Sequence, residues 1–155
     1  MSLELAAVIL TDILFIELNR RDVLQSEKLK EWYSRYGLSA VVADVAIIWL
    51  VFYGTKKYTR YKGTNLLLAI LAVQIVHDIL FYLAFSAIPR GVSKTMDFFK
   101  DYAKEIGGKA IVGDSLMMIS AFFLHALLAR YAKRTKDKLM VLAASVYLVP
   151  YLLHG

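Results

Sequence analysis

The sequence contains no cysteine, which excludes disulfide bonds, thiolate metal sites and cysteine nucleophiles. Proline and glycine are scarce too. With two prolines and eight glycines in 155 residues, we expect neither a disordered linker nor a low-complexity segment. There is also no HExxH, GxGxxG, Walker or TVGYG sequence. These absences remove the common nucleotide-binding, metalloprotease and potassium-filter classes.

Apolar side chains, in contrast, are abundant. The hydrophobic share is 59% and the mean hydropathy is positive, which exceeds the composition of an ordinary soluble domain. The net charge of +6 comes from short basic runs beside apolar stretches. That pattern is typical of helix ends at a lipid surface, so we expect no nucleic-acid partner. A single membrane-embedded domain over residues 1–155 is predicted.

Five apolar stretches could form membrane-spanning helices. A helix needs about 20 apolar residues to cross a hydrocarbon core of about 30 Å. Residues 37–54, 65–88 and 109–129 meet this length. The shorter stretches 3–18 and 139–153 can span where the bilayer thins or neighbouring helices shield their ends. Counting all of them predicts an all-α membrane protein with a five-helix transmembrane bundle.

Basic residues are concentrated in two of the four connections between these stretches. The positive-inside rule places both connections in the cytoplasm, with the N-terminus inside and the C-terminus outside. There they would face anionic lipid headgroups, which makes the bilayer the first expected partner. The basic residues concerned are Lys56, Lys57, Arg60, Lys62, Arg130, Lys133, Arg134, Lys136 and Lys138.

The other two connections have a different pattern. Residues 23–36 and 96–106 place apolar and aromatic side chains at helical spacing against charged ones. Each segment therefore predicts a short amphipathic helix in the interface. Trp32 and Tyr102, near span ends, fit an aromatic belt at the headgroup level.

The chain also resembles itself. Residues 6–18 align with 72–84 at an offset of 66, and residues 30–44 align with 100–114 at an offset of 70. A lysine, an acid, an aromatic, a glycine and an aspartate match or correspond in the second alignment. We predict two tandem helical-hairpin repeats in the same orientation, related by a pseudo-two-fold axis along the membrane normal. Repeat one would cover 3–54 and repeat two 65–129, with the helix over 139–153 outside both.

Each repeated span carries one aspartate: Asp12, Asp44, Asp78 or Asp114. An ionised side chain in the hydrocarbon costs about 2.5–3.5 kcal/mol or more, so it faces a partner or a cavity and suggests function by default. At a rise of about 1.5 Å per residue, Asp44 and Asp114 lie about 10 Å from the outer end, and Asp78 lies deeper. Four carboxylates this close cannot all be ionised without a cation.

His77 adjoins Asp78, and Gln74 lies one turn earlier on the same helix. Carboxylates with an imidazole can hold a cation, relay protons or bind a divalent metal. If a metal is bound, we expect His77, Asp78 and Asp114 as ligands. The same groups can simply hydrogen-bond between helices, and this structural alternative stays open. The predicted ion- or proton-binding site consists of Asp12, Asp44, Gln74, His77, Asp78 and Asp114.

Four strings resemble a known family of proteins. They are VHDILFY (76–82), IPRG (88–91), FKDYAKE (99–105) and GDSLMM (113–118). They are similar to sequences of small uncharacterised membrane proteins encoded by large DNA viruses of algae and protists. The resemblance spans most of the chain. It implies a role in a viral envelope or host membrane, and it brings no activity with it.

Three functions follow as hypotheses. The first is a non-enzymatic proton or cation transporter or channel-like protein, for which a bound cation is the one cofactor that the sequence suggests and no other is identified. The second is a structural viral or organellar membrane protein that organises lipid or partners. The third is a membrane-embedded metalloenzyme that uses the same acids with His77. A bundle this small can enclose a pathway as a homo-oligomer, and neither the oligomeric state nor the ion follows from the sequence.

Overall fold

The computed structural model describes residues 1–23 and 26–154. These residues form seven α-helices and no strand, which confirms the all-α class. Short connections join successive helices, so the long helices run up and down the bundle. The helices are α1 (Ser2–Arg20), α2 (Glu27–Tyr36), α3 (Leu38–Tyr58), α4 (Gly63–Ala87), α5 (Lys94–Ile106), α6 (Lys109–Tyr131) and α7 (Thr135–His154).

Three of these helices, α3, α4 and α6, are long and apolar enough to cross a membrane. Their apolar stretches have mean hydropathies of 1.9, 2.2 and 1.8. The predicted count of five is therefore not met, since α1 and α7 fall short on composition within the described residues. Charged side chains are the reason in α1, where Glu4, Asp12 and Glu17 interrupt 19 residues. In α7 the first turn is charged and Pro150 lies near the end.

Helix α1, which is less apolar than the three helices long and apolar enough to span, is also the most enclosed. Helix α1 packs against α3, α6 and α7, and Ala6, Ala7 and Val8 have no exposed surface. Polar Asp12 is equally buried in the same helix. Because neighbouring helices surround it, α1 does not need an apolar surface all round. Helix α4 is the opposite case, since large apolar side chains such as Leu68, Val76 and Leu80 point outward. Such a surface is typical of a contact with lipid.

The two short helices predicted in the connections are present. Helix α2 begins after Ser26, whose hydroxyl accepts the amide N–H of Leu29. Helix α5 begins after Ser93, which caps its first turn in the same way. Serine is favoured there because its oxygen satisfies a free amide of the first turn. Helix α5 starts two residues before the predicted segment, and residues 24–25 of the first segment lie outside the described residues.

Both short helices end at a glycine with positive φ, Gly37 (50°) and Gly107 (56°). This backbone conformation strains any residue with a Cβ. The turn leads directly into the next long helix, so α2 and α5 lie across the same end of the bundle. They contact each other there through the rings of Trp32 and Phe98, whose centroids are 5.5 Å apart. We name this the α2/α5 end.

Candidate functional site

A cavity of about 760 Å³ lies at the α2/α5 end, mainly between α2, α3, α4, α5 and α6. Helix α3 contributes Asp44, α4 contributes Asp78 and α6 contributes Asp114. Gln74 and His77 of α4 line the same space. Five of the six predicted site residues therefore share one cavity. Asp12 is the exception.

Asp12 lies behind the cavity and is joined to it by Tyr33. The Tyr33 hydroxyl is 3.2 Å from Oδ1 of Asp12 and 2.8 Å from Oδ2 of Asp44. The indole N–H of Trp32 donates to the same Asp44 oxygen at 3.0 Å. A phenol has only one proton to donate, so it serves one carboxyl group at a time. Asp12 and Asp44 are therefore linked through this one hydroxyl.

Tyr33 itself stays protonated. Burial raises the pKa of this hydroxyl in α2 well above its usual value, and the nearby Asp44 and Asp12 raise it further. The ring therefore acts as a permanent donor that ties α1, α2 and α3 together. The second oxygen of Asp12 is buried and has no partner in the described part of the chain.

The hydrogen-bond partners of Asp78 differ from those of Asp12 and Asp44. The side-chain amide of Gln74 donates to Oδ1 of Asp78 at 2.6 Å, and Nδ1 of His77 lies 3.2 Å from the same oxygen. The amide oxygen of Gln74 and Oδ2 of Asp78 are buried without a partner among the described residues. Gln74 is only 2% exposed. Buried acceptors that lack a donor cost free energy, so these two atoms favour a ligand that carries donors.

Asp114 completes the acidic lining from α6. Its carboxyl group makes no side-chain hydrogen bond within residues 1–23 and 26–154. Tyr102 of α5 lines the cavity beside it. Burial raises the pKa of the Tyr102 hydroxyl, and the charges of Asp114 and Asp44 raise it further, so this group also stays a donor.

Aromatic rings form much of the remaining lining, and the sequence alone did not assign them to a site. Phe99 lies at the centre of the group, 5.0 Å from Trp32, 5.0 Å from Phe81 and 6.1 Å from Phe85 between ring centroids. Phe81 and Phe85 are spaced four apart on α4, which places both on one face. This four-residue spacing was the sequence feature that could have indicated the aromatic group in the cavity. The proximity of Trp32 and Tyr102 to span ends instead favoured an aromatic belt.

The predicted metal ligands do not assemble into a metal site. His77 and Asp78 are adjacent, but no group of three or more His, Asp or Glu side chains in the described residues could hold a metal ion. A divalent transition metal usually takes three or four such protein ligands. The donor set therefore does not fit a metal centre.

A second polar cluster lies at the opposite end of the bundle. Glu4 of α1 accepts from Nζ of Lys56 at 2.5 Å and also pairs with the N-terminal amine. His125 of α6 lies 3.6 Å from the same carboxylate, beside a cavity of about 430 Å³. Glu4 is 5% exposed. This cluster ties α1, α3 and α6 together far from the acidic cavity.

Comparison of the chain with protein-family models, with curated proteins and with solved structures gives no match. The resemblance to viral membrane proteins stays a prediction, and the residues of the cavity carry the functional argument.

Proposed function

We propose that this chain is a multi-pass membrane protein that binds and moves a cation or a proton through the acidic cavity at the α2/α5 end. One observation carries this proposal. Asp44, Asp78 and Asp114 come from three different helices and line one space. Three carboxyl groups in a largely apolar surrounding require protons or a cation to balance them.

The membrane setting is supported by how the helices are arranged. Helices α3, α4 and α6 have the length and composition of spans, and α1 is enclosed by its neighbours. Helix α7 packs on α1 and would complete a set of five crossings. Both basic connections lie opposite the α2/α5 end. By the positive-inside rule, the acidic cavity would then face the outside and the N-terminus would lie in the cytoplasm.

The proposed duplication is supported by the pattern of contacts. Helix α1 packs on α3 as α4 packs on α6, and α1 packs on α6 as α3 packs on α4. When α1, α2 and α3 are exchanged for α4, α5 and α6, the first pair of contacts maps onto its counterpart and so does the second. The serine caps and the glycine ends of α2 and α5 correspond as well. This is the arrangement of parallel-repeat transporters, which bind substrate at the repeat interface.

The four aspartates divide into two roles in this proposal. Asp12 and Asp44 hold Tyr33 and Trp32, and they stabilise the packing of the first repeat. Asp78 and Asp114 line the cavity, Oδ2 of Asp78 has no hydrogen-bond partner in the described residues, and these two acids supply the exchangeable part of the site. Asp44 belongs to both groups, because it lines the cavity from α3.

Proton and cation flux into liposomes that contain the purified chain tests this function. We expect flux above that of empty liposomes, and a loss of about ten-fold or more in Asp78→Asn and in Asp114→Asn, since an amide can neither bind a cation by charge nor carry a proton. Asp101→Asn is the matched control, because this carboxylate is exposed and pairs with Arg90. Normal flux in both cavity variants would reject the site.

The structural hypothesis remains the second candidate, and the Tyr33 network favours it. Hydrogen bonds among Asp12, Asp44, Trp32 and Tyr33 are what an acid used only for helix packing would make. In that case all four aspartate variants lower the unfolding temperature, and the unmodified chain shows no flux. Thermal unfolding of each variant beside its flux separates the two functions.

A further inference from the structure

We propose that the cavity binds an organic cation, a protonated primary or secondary amine with an aromatic group, in preference to an inorganic ion. This inference rests on the proposed function and names the substrate class of the same site. It combines three properties of the lining, which are its charge, its rings and its unpartnered acceptors.

The deep part of the cavity is acidic. Asp44, Asp78 and Asp114 line it, and His77 is the one basic side chain beside them in the described lining. Lys109 and Glu105 also border the cavity, but both are exposed at its rim. The carboxylate of Glu105 already has two hydrogen-bond donors, the Ser26 hydroxyl and a backbone amide of α2. The charge of the interior therefore selects for a cation.

The size of the cavity and its aromatic rings favour an organic cation over an inorganic one. A space of about 760 Å³ lies in the range of sites for drug-sized ligands, about 300–1,000 Å³. Trp32, Phe81, Phe99 and Tyr102 offer ring surfaces that attract an ammonium group and cover an apolar body. A bare metal ion has no apolar body for these rings to cover, and the described residues hold no three-ligand group for it.

The unpartnered acceptors narrow the ligand further. The amide oxygen of Gln74 and Oδ2 of Asp78 are buried and lack donors within the described residues. A primary or secondary ammonium carries two or three N–H donors, whereas a quaternary ammonium carries none. An amine with free N–H groups would satisfy both acceptors while balancing the charge.

The position of Tyr33 in the first repeat indicates the shape of a ligand that would fit the second repeat. At the repeat offset of 70, the residue that corresponds to Tyr33 is Ala103, which lines the cavity. In the first repeat a phenol ring fills the space and its hydroxyl lies between Asp12 and Asp44. The second repeat lacks this ring, and its aspartates keep free oxygens. An arylalkylammonium ion would supply both the missing ring and the missing donor.

Binding of an amine to the cavity can be measured through the fluorescence of Trp32. The chain has two tryptophans, so Trp49→Phe leaves Trp32, in the cavity wall, as the only one. We would titrate the full chain in nanodiscs with phenethylammonium and record Trp32 fluorescence. We expect a saturable change, with affinity for the neutral isostere phenethyl alcohol weaker by about ten-fold or more.

Variants in the same background test the geometry. Asp78→Asn and Asp114→Asn should each weaken phenethylammonium binding about ten-fold or more, and Asp101→Asn should leave it unchanged. Ala103→Tyr should abolish binding because its ring fills the space. Circular dichroism and unfolding temperature would confirm that this variant folds, and Ala103→Ser, which leaves the space open, should still bind.

Two results would overturn the inference. Equal affinity for phenethyl alcohol would mean that the cavity takes apolar molecules or lipid, and displacement of the amine by K⁺ or Mg²⁺ at equal concentration would mean an inorganic site. Failure here is distinguishable from failure of the proposed function. Proton flux without amine binding contradicts the substrate class alone, whereas amine binding without any flux contradicts transport alone.

Discussion

The Tyr33 hydroxyl is the one donor shared by the buried carboxyl groups of Asp12 and Asp44. Tyr33→Phe would remove it and leave both acids without that hydrogen bond. We expect a loss of about 1–3 kcal/mol in the free energy of unfolding, measured by chemical unfolding in detergent.

Tyr36→Phe is the matched control for that change. Tyr36 lies on the same helix, and its hydroxyl is buried without a partner in the described residues. Its removal should leave stability unchanged or slightly raised, since no hydrogen bond is lost. Equal losses in the two variants would show that the hydroxyl of Tyr33 does not hold the acids together.

Sequence reasoning identified acids in the cavity but not their partners. Asp44, Asp78 and Asp114 stand out because a charge inside an apolar stretch demands an explanation. Tyr33 does not stand out, since a tyrosine near a span end is expected at any membrane interface. Its role depends on which helix passes behind it, and that is a property of the packing. The separation of Asp12 from the cavity has the same origin.

At the scale of the helix, the ends of α2 and α5 make a sharp prediction. Gly107→Ala places a Cβ on a residue with φ of 56°, which costs about 1–2 kcal/mol. Gly54→Ala is the control within α3, where a Cβ would meet nothing within 4 Å. There the same substitution should stabilise the helix by up to about 1 kcal/mol. Unfolding temperatures should therefore move in opposite directions, and a shift of the same sign in both would contradict the role of the turn.

Helix boundaries were predictable to different degrees. The two short helices were predicted from residues 23 and 96, whereas α2 begins after the capping Ser26 and α5 after the capping Ser93. The prediction of five spanning helices treated α1 in the same way as α3, α4 and α6. Composition describes a helix facing lipid, whereas α1 faces other helices almost everywhere. Which helix occupies the centre depends on tertiary contacts that no window of sequence contains.

At the scale of the molecule, the Glu4 cluster joins the ends of α1, α3 and α6. Lys56→Met would leave the buried Glu4 carboxylate without its closest charged side chain. We expect a loss of about 1–3 kcal/mol in unfolding free energy, below the full cost of a buried pair because Lys56 is 39% exposed. Lys62→Met, at an exposed lysine in the next connection, should have little effect.

A double-mutant cycle completes this test. Adding Glu4→Gln to Lys56→Met removes the buried carboxylate that has lost its lysine, and should restore most of the lost stability. If the two losses simply add, the pair does not contribute through charge, and the cluster would be a consequence of packing.

The enclosure of α1 has a consequence for biogenesis. Helix α1 is synthesised before the helices that enclose it, yet its three acids make it a poor substrate for direct partition into lipid. The helices that cover it, α3, α6 and α7, are made later. Helix α1 would thus be packed among helices that are made after it, having waited for them at the membrane surface or beside the insertion machinery.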